Sequence, residues 1–493
     1  MFKKNNISNF GLIFGIFLFS IFFYTSPPKD LEYVAWVTAG VAVLMTVWWV
    51  TEAVPIYATG LVPLVLFPIL GLFELKEVSS SYAHPLVLLF LGGFIIASAM
   101  ESSGLHKRIA LKILSFSGTS PSKIIAGFMF STAILSMWVS NTASTIMMLP
   151  IAMSVINIFY NKNNINKNNF AIPLLLAIAY SASIGGSATL IGTPTNIMLA
   201  SILSDSYNYQ ISFIDWFTIG FPIVLVLLPI VWIFLSKVIF RVSSQKSKAL
   251  EKTLLDLNKK IGRASKKEKI VALIFLSTAC LWIFRKLINE SLGFTLNDTS
   301  IGILGALLLF IIPTGNNERA CSWNTANKIP WGVLFLVGGG IALSKAFKSS
   351  GLAMWIGSFS NYLYGFDVYF LILISVLVII FLTELNSNTA TVATFTPILI
   401  IFALGLEVNP LYFVIPTTIA ASCAFMLPIA TPPNAVIFGS GEIDIKNMIK
   451  AGLGLNLISI LVVSSMSILI LNLIFGYEIM SIPSWISSNQ FNN

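Results

Sequence analysis

The chain has 493 residues, 56% of them hydrophobic and 10% charged, with a mean hydropathy of +0.87 and a formal net charge of +9. A soluble domain carries about a quarter charged residues, so this composition excludes a water-soluble globule and implies an all-α polytopic membrane protein. The positive balance does not mark a nucleic-acid binder, because the basic residues fall in loops between apolar runs, where they report topology.

In chain order, Met1-Phe2-Lys3-Lys4 and the apolar run Phe10 to Tyr24 imitate a secretory signal. No small-x-small cleavage site precedes Pro27-Pro28, and many spans follow, so the run reads as a first transmembrane helix. A span needs about 20 mostly apolar residues. Eleven such spans are expected, at roughly 10–25, 33–51, 54–73, 84–101, 171–202, 212–240, 268–287, 300–314, 329–347, 410–440 and 447–476. Two further apolar stretches, 121–160 and 366–405, carry Ser-Asn-Thr near their middle and are long enough to dip into the bilayer and return. Cys280, Cys321 and Cys423 are scattered and form neither a disulfide framework nor a zinc motif.

Charge tests this count. The segment Arg241 to Lys269 is rich in lysine, which the positive-inside rule places in the cytoplasm together with Lys3 and Lys4. Both ends share a side only if 121–160 is a re-entrant hairpin. Lys107, Arg108, Lys112, Lys123, Lys162 and Lys167 then flank it on the cytoplasmic side, and the C-terminus falls outside.

The chain also repeats itself. Phe90-Leu91-Gly92-Gly93 and Ser102-Ser103-Gly104-Leu105 recur as Phe335-Leu336-Val337-Gly338-Gly339 and Ser349-Ser350-Gly351-Leu352, about 246 residues later. Ser140-Asn141-Thr142-Ala143 recurs as Ser387-Asn388-Thr389-Ala390, each with a proline ten residues after its serine, Pro150 and Pro397. Downstream, Gly192-Thr193-Pro194-Thr195-Asn196 pairs with Ala430-Thr431-Pro432-Pro433-Asn434. Five crossings per unit invert the second copy relative to the first, and interrupted apolar segments at matching places point to the binding site of a secondary transporter.

The chemistry of these motifs follows from their position. A hairpin tip presents the N-terminus of its returning half-helix, with roughly +0.5 of an elementary charge and free amide donors. Ser, Asn and Thr there can cap the helix, ligate a hard cation through oxygen, or donate to a carboxylate. Thr-Pro interrupts the following span and frees a carbonyl. No Lys or Arg lies between Lys123 and Lys162, between Lys167 and Lys237, or between Lys348 and Lys446. An anion bound in low dielectric must still be neutralised, so co-bound cations are the expected remedy. The plain alternative is helix packing, since Ser, Thr and Gly line transmembrane interfaces. Glu52 reads as a loop-pinning acid at a turn, and Glu384 as a brace for the second tip or a tuner of a cation site. His84 and His106, at a span's outer mouth and in a basic loop, lack partners for catalysis. No HExxH, GxSxG or GxxxxGK[ST] is present, so an enzyme is not expected.

From about Trp48 to Gly441 the chain resembles the divalent-anion:sodium symporter family, which includes dicarboxylate, citrate and sulfate cotransporters. The strings that carry the resemblance are Trp48-Trp49-Val50-Thr51-Glu52-Ala53-Val54-Pro55, Met137-Trp138-Val139-Ser140-Asn141-Thr142, Thr383-Glu384-Leu385-Asn386-Ser387-Asn388-Thr389 and Phe425-Met426-Leu427-Pro428-Ile429-Ala430-Thr431-Pro432-Pro433-Asn434. The resemblance implies a homodimer in the bacterial inner membrane, working by an elevator-like movement. It implies one Na⁺ at Ser136, Ser140, Asn141 and Gly192, and a second at Thr383, Ser387, Asn388 and Ala430. Asn141, Thr142, Asn388, Thr389, Thr431 and Pro432 would contact a di- or tricarboxylate, a four-carbon acid such as succinate first. Sulfate transport and Na⁺-independent exchange are the alternatives. Thr195 departs from the family's usual second proline.

The expected organisation is scaffold helices over 1–117, transport elements over 118–240, a basic cytoplasmic linker over 241–267, scaffold again over 268–360, transport elements over 361–476 and an external tail over 477–493.

Overall fold

The computed structural model describes residues 2–163, 170–243, 262–293, 295–315 and 318–486. Helices dominate, and the only strands among the described residues are the short antiparallel pair Pro313–Gly315 and Glu318–Arg319. Among the described residues, seven helical stretches are long and apolar enough to cross a membrane, including Tyr33–Thr51, Leu75–Ser103, Phe213–Ile239, Lys266–Leu292 and Ile445–Leu473. The other expected spans are shorter helices, several joined end to end. Ile56–Thr59 continues as Val62–Ile69, and Asp298–Ile311 forms the span foreseen at 300–314.

Both expected hairpins are present. The first is Pro121–Ser136 followed by Asn141–Asn163, and the second is Val368–Thr383 followed by Asn388–Gly405. Each turn is only four residues long, 137–140 and 384–387, so each Ser-Asn-Thr straddles the start of its returning helix. Both long spans carrying Thr-Pro are broken. Ala171–Gly186 stops and Pro194–Tyr207 restarts, while Leu411–Ala421 stops and Pro432–Phe438 restarts. Proline fits the first helical turn, where its missing N–H has no partner to lose.

The repeat holds at the level of backbone torsion. Gly104 and Gly351 both turn the chain left-handed, at φ 81° and 80°, between a span and the short helix after it. The first of these short helices, Leu105–Ser115, carries Lys107, Arg108 and Lys112, and it buries His106. His106 therefore sits on a helix rather than in a loop. Its Nδ1 lies 2.9 Å from the Met100 carbonyl, and burial pushes its pKa below the usual imidazole value. Glu52 terminates its helix in the left-handed region at φ 46°, as a turn residue should. Most of the basic linker, 244–261, together with Lys167 and the tail beyond Ile486, lies outside the described residues.

The two halves interlock crosswise. The returning helix of the first hairpin packs on Pro432–Phe438 of the second broken helix, and that of the second hairpin packs on Pro194–Tyr207 of the first. This exchange brings both tips and both breaks into one region, in which Ser136, Thr195, Thr383 and Ser422 are buried while Leu385, Ile429 and Pro432 stay exposed.

Candidate cation and anion site at the paired hairpin tips

At the first tip the Ser136 hydroxyl lies 2.6 Å from Asn141 Oδ1 and 2.7 Å from the Ala182 carbonyl oxygen. At the second, the Thr383 hydroxyl lies 2.6 Å from Asn388 Oδ1 and 3.0 Å from the Ala421 carbonyl oxygen. Ser136 and Thr383 are both fully buried. In each cluster one hydroxyl proton is shared between two acceptors. The surplus of oxygen lone pairs around a buried hydroxyl is what a hard cation coordinates. Both asparagines engage through Oδ1, which leaves each amide NH₂ available to an incoming acceptor beside a half-helix N-terminus.

The breaks face these tips. A side-chain carbon on Gly186 would lie 2.4 Å from Asn141 Oδ1, and one on Gly192 would lie 2.3 Å from the Gly186 carbonyl oxygen. Close approach, rather than torsion, demands glycine at both places. Asn196 holds the first break by donating Nδ2 to the carbonyls of Gly186 (3.2 Å) and Thr189 (2.8 Å). Asn434 does the same in the second, to Ala424 (3.0 Å) and Leu427 (3.1 Å). The Gly192 N–H bonds to the Thr189 carbonyl, and the Ala430 N–H to the Leu427 carbonyl. Gly192 and Ala430 thus close equivalent small rings of backbone.

Glu384 is buried and braces the break that faces its tip, rather than the tip itself. Its carboxylate accepts from the N–H groups of Phe425 (2.7 Å), Met426 (2.9 Å) and Leu427 (3.0 Å), and from Asn456 Nδ2 (2.7 Å). With four donors the charge is held in place by hydrogen bonding, a geometry for positioning rather than proton transfer.

Not every expected ligand turns toward the clusters. The Ser140 hydroxyl caps the returning helix by accepting from Ala143 N–H at 3.3 Å, and the Thr431 hydroxyl caps its own helix by accepting from Asn434 N–H at 3.3 Å. Ser387 contributes its carbonyl to Thr391 N–H at 2.9 Å. Thr142, Thr389 and Pro432 stand in the first turns of their helices, Thr389 buried and Pro432 exposed. Sequence reasoning passed over Asn196, Asn434, Thr189, Asn456 and Tyr180. The first two were visible as the shared last residue of the downstream motifs. The other three had no repeat partner to expose them.

An inverted repeat with two hairpin tips facing two broken helices defines a polytopic membrane transporter. The sodium:sulfate symporter transmembrane-region family model matches residues 6–477, and the chain belongs to that family. Among its relatives, the sodium-dependent dicarboxylate transporter SdcS of Staphylococcus aureus (strain USA300) is 40% identical over 482 residues, covering 95% of this chain and 92% of the relative. The SdcS protein of Staphylococcus saprophyticus is 38% identical over 475 residues, covering 94% and 91%. The crystal structure of the Alcanivorax borkumensis YdaH transporter shares the fold, with a TM-score of 0.57, 15% identity, and coverage of 90% of this chain and 99% of that one.

Proposed function

We propose that this integral membrane protein is a sodium-coupled symporter that imports small dicarboxylates, four-carbon acids such as succinate foremost. The observation that carries the reading is the duplicated oxygen cluster, Ser136–Asn141–Ala182 and Thr383–Asn388–Ala421, each short of protons and each at a half-helix N-terminus. The relatives named for sodium-dependent dicarboxylate transport support the substrate class over sulfate.

In this reading one Na⁺ binds at each tip. Asn141 Oδ1 and the Ser136 hydroxyl serve the first, with Gly192 closing the site. Asn388 Oδ1 and the Thr383 hydroxyl serve the second, with Ala430 closing it. Ser140 and Ser387 shape the turns. The dicarboxylate lies between the tips, its two carboxylates taking the Asn141 and Asn388 amides, with Thr142, Thr389, Thr431 and Pro432 lining the space. Because no Lys or Arg lies in these segments, the cations neutralise the anion, and each ligand raises the affinity of the other.

The wider expectations form part of the same proposal. The hairpins and broken helices move as a transport unit against the scaffold helices of a homodimer. The N-terminus lies in the cytoplasm and the C-terminus outside the bacterial inner membrane.

The test is uptake of labelled succinate into proteoliposomes under an inward Na⁺ gradient and under an equal K⁺ gradient, with sulfate and citrate as competitors. Accumulation with Na⁺ only, displaced best by four-carbon acids, is the expected result. Uptake indifferent to Na⁺ would identify an exchanger instead.

A further inference from the structure

The two breaks are not held alike, and the difference concerns one carbonyl. Ser187 and Phe425 occupy equivalent positions, each six residues before the threonine of its Thr-Pro pair. The Ser187 carbonyl accepts from Trp216 Nε1 at 3.0 Å, a residue of the same half. The Phe425 carbonyl instead accepts from the Tyr180 hydroxyl at 2.7 Å, and Tyr180 belongs to the other half. Tyr180 is fully buried on Ala171–Gly186, and its ring lies 4.8 Å from that of Phe425 at 50°. The N–H of the same residue, Phe425, goes to Glu384. A second buried contact crosses the halves nearby: the Thr195 and Ser422 hydroxyls are 3.2 Å apart, Ser422 standing at the start of the second break.

We infer that Tyr180 is a positioning residue of the second cation site, contributed by the first half, and that with Thr195 it couples occupancy of the two sites. This rests on the assignment of a cation to each tip. The physical route is short. Tyr180 fixes the Phe425 carbonyl, and Asn434 ties Ala424 to Leu427, whose carbonyl takes the Ala430 N–H. Ala430 closes the second site. The other end of the route is equally direct: Tyr180 lies on the helix whose Ala182 carbonyl belongs to the first oxygen cluster. A cation that orders the first cluster thereby steadies the helix that carries Tyr180, and so lowers the ordering cost at the second. Coupling of this kind is reciprocal.

The experiment measures labelled substrate uptake against Na⁺ concentration for the wild type, Tyr180→Phe, Thr195→Val, Trp216→Phe and Asn388→Ala. Tyr180→Phe keeps the ring and removes one buried hydrogen bond. It should raise half-saturating Na⁺ by about three- to tenfold and lower the Hill slope toward one, with maximal rate recovered at high Na⁺. Thr195→Val should shift the curve in the same direction and decides the matter if Tyr180→Phe does not insert. Trp216→Phe, whose bond stays within one half, should move half-saturation without lowering the slope. A fall in maximal rate alone, or unaltered Na⁺ curves for Tyr180→Phe and Thr195→Val beside a shifted Asn388→Ala, overturns the inference and leaves the tip sites standing. An unshifted Asn388→Ala removes the second site, and the inference with it.

Discussion

The first break spans 187–193 and the second 422–431, and the two solve one problem by different chemistry. Unwound backbone in an apolar interior must find partners for its N–H groups. In the first break the N–H groups of Ser187 and Ala188 stay with the carbonyls of Ile184 and Gly185 in a tightened final turn. The Thr189 hydroxyl then reaches across to donate to the Met137 carbonyl at the tip. In the second, longer break the N–H groups of 425–427 turn away from their helix, and the tip must supply an acceptor. Glu384, at the position matching Met137, provides it with its side chain. The same tip-to-break link thus runs from side chain to backbone in one direction in one half, and in the other direction in the other. An inverted repeat preserves geometry while the chemistry of each half drifts, and of the two described tips the second alone offers a carboxyl side chain to its break.

The largest expected effect tests that contrast. Glu384→Ala leaves three backbone N–H groups and Asn456 without their acceptor, at about 1–3 kcal/mol for each unsatisfied group. Transport should fall by two orders of magnitude or more in proteoliposomes. Met137→Ala at the matching position keeps the carbonyl that Thr189 uses, and should change uptake only a few-fold. Equal losses for both would erase the distinction between the halves.

Next in size are the asparagines. Asn141→Ala and Asn388→Ala each remove an oxygen ligand and an amide donor while keeping the half-helix. A charge-assisted hydrogen bond is worth about 1.5–3 kcal/mol, so substrate affinity should drop roughly ten- to a hundredfold, with a parallel rise in the Na⁺ requirement. Asn386→Ala is the control. It loses one turn contact, the acceptance of Ser387 N–H at 2.8 Å, and should shift affinity by no more than about threefold.

A smaller effect sharpens the steric difference. Gly192→Ala forces a carbon against the Gly186 carbonyl, and should weaken Na⁺ activation by about fivefold or more, since overpacking costs about 1–3 kcal/mol. Ala430→Gly, the reverse exchange in the second half, removes one methyl group and should leave the Na⁺ curve within about twofold of wild type. Matching shifts in the two variants would mean that the halves tolerate bulk equally.

Much of this was legible in the chain. Repeated Ser-Asn-Thr and Thr-Pro inside apolar runs locate both hairpins and both breaks, because helix breakers at matching places have few other uses in a membrane. Asn141 and Asn388 stood out for the same reason. The sequence hid whatever the two halves do differently. Glu384 read as a brace, but its target lies some forty residues downstream and only the packed fold shows it. Asn456 and Tyr180 lie within apolar helices, and their partners lie in distant segments. Ser140 and Thr431 carry the right oxygens, yet their hydroxyls cap helix ends. Local hydrogen bonding competes with ligation for such side chains, and spacing alone does not settle the contest.

The proposed mode of coupling is that one cation binds at each tip together with the anion. Thermodynamic linkage tests it directly. Succinate affinity of the purified protein, measured by calorimetry over a range of Na⁺ concentrations at constant ionic strength, gives the ions taken up per anion as the slope of log affinity against log Na⁺. The slope should be about two for the wild type and about one for Asn141→Ala or Asn388→Ala. A slope of zero in the wild type, or one unchanged in both variants, would contradict it.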